Sequence, residues 1–299
     1  MMTVIGSAIS WTNSTWNWAV GCTKVSAGCD NCYASALVGN TRYKFGHAFE
    51  DVRIHEHRLA DARRFRPIRS GDGEKLPHLV FTNSMSDAWH EKIPTEFIHK
   101  VLDVMEATPL TQYQILTKRP VRARQILVDR YGNKGIPANF WIGVSCEDNR
   151  VAARLNILRS IKERTGGTMT AFVSVEPIVG PTDALDFAGV DWAITGGESG
   201  GGARRMEYGW LTPAIENAKK AGAAVYHKQH GTPWSNPMLH LAPPGGIRAR
   251  FQWLVDQGLE LLPEEKGGAT LPGKITWREF PAQYHRAKAA LNAKKAELF

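Results

Sequence analysis

No stretch of eighteen apolar residues occurs in this 299-residue chain, so the sequence offers no membrane-spanning helix. Its opening run, MMTVIGSAISWTNSTWNW, has neither a basic n-region nor a long apolar core and does not read as a signal peptide. A reducing, cytoplasmic setting is therefore expected. Cysteine is scarce, with four residues in all. Three of them form an odd group, which argues against a disulfide framework. The one glycine-dense loop, Gly196-Gly197-Glu198-Ser199-Gly200-Gly201-Gly202, is not followed by Gly-Lys-Ser/Thr, which excludes a P-loop. No HExxH spacing supports a zinc hydrolase. There is no fixed-period repeat beyond a strand–helix alternation, and no low-complexity tract.

What the chain does have is Cys22, Cys29 and Cys32 within GCTKVSAGCDNCYA, far from the fourth cysteine, Cys146. Three thiolates on one loop can hold three irons of a [4Fe–4S] cluster and leave the fourth iron open, the condition a reactive metal site needs. Ala27 and Gly28 are small, so backbone can pass close to a bulky group. A structural zinc site is the rival reading, with His55, His57, Asp30 or Cys146 as fourth ligand.

A rhythm of short apolar strand, polar or glycine-rich turn, and helix runs through most of the chain. Strands are predicted at 79–83, 113–117, 140–144, 171–175, 192–196 and 224–228, with an earlier one within 3–18. Pro94 and Pro120 mark helix starts; Asp148 is a predicted N-cap for a helix through Arg164; Thr212 opens a helix that stops at Gly222. Seven such units in about 230 residues predict an α/β protein, a full or partial (β/α) barrel with parallel strands, a helical insertion and a C-terminal extension. The expected boundaries are 1–231 for the barrel with its insertion at 41–75, and 232–299 for the extension.

Nearly every predicted strand end carries chemistry. These ends are Ser84-Met85-Ser86-Asp87, Lys118-Arg119-Pro120, Ser145-Cys146-Glu147-Asp148, Glu176-Pro177, Gly196-Gly197-Glu198-Ser199 and Lys228-Gln229-His230. Parallel barrels place their sites at that end. Asp87 and Asp148 also suit helix N-caps. A net charge of +8 permits an anionic partner such as a nucleic acid or nucleotide, although a solvated basic surface accounts for it equally. Trp11, Trp16, Trp18 and Trp89 fall near the predicted site segments, where they can stack on a base or pack the core.

The stretches GCTKVSAGCDNCYA, TNSMSDAWHEKIP, QILTKRP, WIGVSCED, VSVEPIVGP, DWAITGGESGGGARRM, HKQHG and GKITWREFP resemble the radical S-adenosylmethionine superfamily. More narrowly, they resemble a phage-associated radical-SAM-like family known only as a domain of unknown function. The superfamily's common C-x3-C-x2-C spacing is lengthened here to C-x6-C-x2-C. Its glycine-glycine-glutamate stretch after the second strand is replaced by Ser84 to Asp87. The resemblance implies a [4Fe–4S] cluster on Cys22, Cys29 and Cys32, with S-adenosylmethionine (SAM) chelating the fourth iron. It also implies reductive cleavage of SAM to a 5′-deoxyadenosyl radical for hydrogen abstraction, fed by a donor such as flavodoxin or ferredoxin. By strand order Ser84 and Asp87 would meet the SAM amino group. Ser145 and Glu147 would hold ribose hydroxyls or the carboxylate, and Gly196, Gly197 and Glu198 would form a ligand loop. Glu176 and Lys228 are candidates for cofactor or substrate, and Cys146 for a hydrogen-atom donor. The contrasting reading is a zinc-stabilised nucleic-acid-binding protein without turnover.

Overall fold

In the computed structural model, which describes residues 4–40, 46–260, 269–271 and 277–296, eight strands form one sheet. In chain order they are β1 (Val4–Ile5), β2 (Ser14–Trp16), β3 (His78–Thr82), β4 (Thr111–Thr117), β5 (Phe140–Ser145), β6 (Thr170–Val175), β7 (Trp192–Gly196) and β8 (Ala224–Gln229). Spatial order follows chain order. β1 pairs antiparallel with β2, and β2 through β8 are parallel throughout. The result is a curled half-barrel, the partial form of the predicted fold. β3 to β8 each lie within a residue or two of their predicted runs, because both sides of such a sheet are covered and its strands read as largely apolar; the strand expected within 3–18 is two short ones, β1 and β2.

The helices are α1 (Tyr33–Gly39), α2 (Thr95–Glu106), α3 (Pro120–Tyr131), α4 (Ala153–Arg164), α5 (Tyr208–Lys220), α6 (Ile247–Asp256) and α7 (Ala282–Ala296). Two start differently from the prediction. Asp148 caps a single 3₁₀ turn, Asn149–Val151, by accepting from the Arg150 amide at 2.9 Å, and α4 begins at Ala153. α5 begins at Tyr208, so Thr212 and Pro213 lie inside its first two turns, and the Thr212 hydroxyl donates back to the Tyr208 carbonyl at 3.2 Å instead of capping the helix. No helix among the described residues is long and apolar enough to cross a membrane.

Alternation along each strand divides two cores. On β5, Phe140, Ile142 and Val144 face the helices, as do Ala171, Val173 and Val175 of β6. Trp141 and Phe172 point the other way, into the half-barrel, with Leu79, Phe81, Trp192, Ile194 and Tyr226. The inner face is narrow. A Cβ on Gly143 would lie 2.5 Å from the Phe172 ring, so that ring fills the space above a glycine. Trp11 joins this cluster, 4.8 Å from Phe81 between ring centroids, and forms a floor. Trp16, Trp18 and Trp89 belong to the helix-side core instead.

The 41–75 segment, described from residue 46, contributes Arg53–Ile54 paired with Ala19–Val20. A 3₁₀ helix at Glu56–Arg64 and a small hairpin, Ile68–Arg69 with Lys75–Leu76, come next. The predicted helical stretch there is thus 3₁₀; it packs beside β2, with the Trp16 indole donating to the Arg58 carbonyl at 2.8 Å. Near the C-terminus, Trp277 to Glu279 run alongside β8: His227 N donates to the Trp277 carbonyl at 2.8 Å and Glu279 N to the Val225 carbonyl at 3.0 Å. Phe280 stacks on Trp192, 5.6 Å between centroids. Most of the GKITW run, residues 273–276, lies outside the described residues.

Candidate functional site

The C-terminal strand ends and the cysteine loop enclose a cavity of about 390 Å³. The chain enters the cysteine loop at Gly21. The φ of +106° there belongs to glycine, and a Cβ would sit 2.7 Å from the Phe49 carbonyl. Gly21 N donates to the Met85 carbonyl at 3.0 Å, and the Ser86 hydroxyl donates to the Gly21 carbonyl at 2.6 Å. Cys22 N then donates to the Phe49 carbonyl at 2.8 Å. The first cysteine is therefore fixed to the end of β3.

Three arginines from separate parts of the chain grip the remainder of the loop. Arg119, after β4, donates to the Thr23 hydroxyl at 2.7 Å, the Thr23 carbonyl at 3.0 Å and the Cys22 sulfur at 3.4 Å. Arg154, on α4, donates to the Ser26 hydroxyl at 2.9 Å. Arg204 reaches the Ala27 carbonyl at 2.8 Å and the Asp30 carboxylate at 3.1 Å. Each is held by an acid at a strand end. Arg119 lies 3.5 Å from Asp87, Arg154 pairs with Glu147 at 3.0 Å, and Arg204 with Glu198 at 2.6 Å.

These carboxylates also take further hydrogen bonds. Glu147 accepts from the Gly28 amide at 3.1 Å, where a Cβ on Gly28 would come 3.1 Å from its Cδ. Asp87 accepts from the Thr117 hydroxyl at 2.8 Å and the Lys118 amide at 3.0 Å. Glu198 accepts from Asn31 at 2.8 Å. Burial alone would raise the Glu147 carboxyl, but the Ser26 hydrogen bond and the Arg154 and Lys118 charges hold it below the usual carboxylate range. Burial opposes Glu198 in the same way and is outweighed by Arg204 and Asn31. Burial pushes the Cys22 thiol up, with the Arg119 charge opposing it.

Cys22, Cys29 and Cys32 all line the cavity and are partly accessible. Cys32 precedes α1, and the Tyr33 hydroxyl donates to the Ser84 carbonyl at 2.6 Å. Ser84, Asp87, Ser145, Glu176, Gly197, Glu198 and Lys228 line the same space. Glu176 and Lys228 form an ion pair at 2.6 Å within it. Gly196 and Glu147 do not line it. Gly197 is confined by backbone, since a Cβ on it would overlap the His230 carbonyl. Cys146 is elsewhere: it packs in the helix-side core with its sulfur 3.8 Å from the Val151 carbonyl, and burial pushes its thiol up to about 12. His55 and His57 lie 5.8 Å apart between ring centroids and do not line the cavity. Among the described residues no three His, Cys, Asp or Glu side chains form a group that would hold one metal ion.

Sequence reasoning missed Arg154, Asn31 and Asn83. Arg154 is one cation among many on a helix and carries no motif; Asn31 lies between two of the cysteines, which was the available signal. Asn83 has a φ of +64°, in the left-handed region that asparagine tolerates. Among the described residues its amide NH₂ and the Trp11 indole N–H are buried donors with no acceptor, and both residues line the cavity. Each such donor costs about 1–3 kcal/mol unless a ligand satisfies it.

A search of curated proteins finds no match. Among solved structures the chain is similar to a point mutant of spore photoproduct lyase, with 14% identity and a TM-score of 0.44, over 72% of this chain. The similarity spans 63% of that protein's length. Residues 6–281 match the family described as "Protein of unknown function (DUF5131)", and the chain belongs to that family.

Proposed function

We propose that this protein is a radical SAM enzyme that holds a [4Fe–4S] cluster on Cys22, Cys29 and Cys32 and binds SAM in the adjoining cavity. One observation carries the reading: three thiols on a single braced loop line one cavity at the C-terminal end of a parallel half-barrel. The donor set suits a cluster. Thiolates on different irons of a cube need not converge on one point, whereas the ligands of a lone zinc must. The unpartnered Asn83 and Trp11 donors suit a ligand rich in acceptor oxygens or ring nitrogens. When bound, the cluster supplies one electron for cleavage of SAM to the hydrogen-abstracting 5′-deoxyadenosyl radical.

The chain's own residues do the rest. Arg119, Arg154 and Arg204 hold the cysteine loop, and each is kept in place by a strand-end carboxylate. The Trp11 and Phe81 rings close the floor and exclude water. Ser84, Ser145, Glu176 and Lys228 offer polar contacts to cofactor or substrate from four strand ends. Lys228 keeps ammonium hydrogens beyond the one given to Glu176, so the pair can both donate and accept. A basic chain and an aromatic floor favour a nucleic acid or nucleotide-like substrate. A low-potential one-electron donor, such as flavodoxin or ferredoxin, completes the reading.

Anaerobic reconstitution with iron and sulfide tests it. The expected result is labile sulfide together with a broad absorbance at about 400 nm, as for thiolate-bound iron, and SAM cleavage under reduction. Retention of no iron, or unchanged cluster content in Cys29→Ala, overturns the proposal. One zinc per chain with no sulfide would replace it with the zinc-stabilised binding protein.

A further inference from the structure

Of the three arginines on the cysteine loop, Arg154 and Arg204 bond, among the described residues, only to oxygen. Among the described residues, Arg119 is the one side chain that donates to a sulfur of the trio, from Nη1 to Cys22 Sγ at 3.4 Å. Its placement is over-determined. Its backbone N–H donates to the Thr117 hydroxyl at 2.8 Å, and Thr117 in turn donates to Asp87. Nη2 is spent on Thr23 and Nε on Glu91 at 3.1 Å. The planar fork thus aims one N–H at sulfur and cannot swing away without losing the others. Its side chain is 11% exposed, so solvent screens the charge weakly. The counter-charges are unequal: Asp87 is buried but 3.5 Å away, and Glu91 is 61% exposed.

Hydrogen bonds to cluster sulfurs and local charge set the reduction potential of iron–sulfur centres. Reduction adds one electron, with no bond made or broken at the protein, and that added negative charge spreads onto the thiolates. A buried cation with an N–H on one sulfur favours the reduced state. We propose that Arg119 is a positioning residue that raises the reduction potential of the cluster on Cys22, Cys29 and Cys32. This role rests on the cluster reading above. The same residue indexes Cys22 against β4, so one side chain acts both on the position of that cysteine and on the redox poise.

The test is a dithionite titration, monitored by electron paramagnetic resonance in redox mediators, of reconstituted wild type, Arg119→Gln and Arg119→Lys without SAM. The midpoint of Arg119→Gln is expected below wild type. Arg119→Lys, which keeps the charge and loses the fork, should fall between them. Equal midpoints at equal iron content overturn the proposal and leave the cluster reading standing. Absence of iron from wild type removes the cluster reading, and this inference with it. If Arg119→Gln alone fails to hold iron, Arg119→Lys decides: a midpoint below wild type supports the role, and an equal one overturns it. Loss of iron from both variants reduces Arg119 to a structural clamp and also overturns the proposal.

Discussion

Replacing Glu147 by alanine removes the acid that anchors the middle of the cysteine loop. Glu147 is 1% exposed and its partner Arg154 11%. The substitution leaves a nearly buried guanidinium without its carboxylate and the Gly28 amide without its acceptor. Breaking a buried pair from one side costs about 3–5 kcal/mol. Two contacts to a charged acceptor at about 1.5–3 kcal/mol each give about 3–6 kcal/mol, an overlapping range. At about 2–4 °C per kcal/mol for a chain of this size, the melting midpoint should fall by about 6–20 °C. The injury is centred on the loop, so amide exchange in a 22–32 peptide should quicken by about a hundredfold if some 3 kcal/mol of local opening energy is lost. Arg150→Ala is the control: it removes an ion pair to Asp148 whose arginine is 69% exposed, so solvent replaces much of the lost contact and a smaller effect is expected. A Glu147→Ala protein that melts within about 1 °C of Arg150→Ala, with unchanged exchange across the loop, would refute the reasoning from buried charge.

Gly197→Ala should lower the melting midpoint or the folded yield sharply, because backbone must part where a Cβ meets the His230 carbonyl. Gly201→Ala, with open space around it, should be tolerated in the same thermal assay. The buried His227–His230 pair, 3.3 Å apart, predicts a pH effect. Burial drives His227 well below its ordinary value and His230 to about 4. Below about pH 6.5 the unfolded chain takes up protons that the folded pair refuses, so stability falls as pH drops from there toward 4, by about 3 kcal/mol for His230. Chemical denaturation at a series of pH values should show that slope, and it should flatten in His230→Gln; an equal slope in both proteins would exclude His230 as a source.

The parallel strands were legible because strands covered on both sides must be apolar along their whole length. The six runs of β3 to β8 could be read directly, short β2 only to within a window, and proline marked two helix starts. The start of α5 was not legible, since a threonine just before a helix and one bonded back to a carbonyl inside its first turns look alike in sequence. The extent of the 3₁₀ segment at Glu56–Arg64 was also hidden, as its polar composition suits either helix type. In the site, the three cysteines announced themselves by spacing. Arg154 did not, because nothing local distinguishes it from the other basic residues of α4. Glu147 and Gly28 are 119 residues apart, and no short-range pattern links them.

Local chemistry alone determined that the chain alternates strand with helix, that three sulfurs share a short loop, and that polar groups come after the strands. Those properties depend on residue type and spacing over a few positions. Tertiary structure decided the assignments that need through-space distance. Cys146 went to the helix-side core while its neighbour Ser145 reached the cavity, because successive residues at a strand end face opposite ways. Arg119 was set against sulfur while Arg154 and Arg204 met oxygen. The physical reason is that the curl of the sheet brings strand ends from across the chain around one loop, and contact distances there select the partner of each charge.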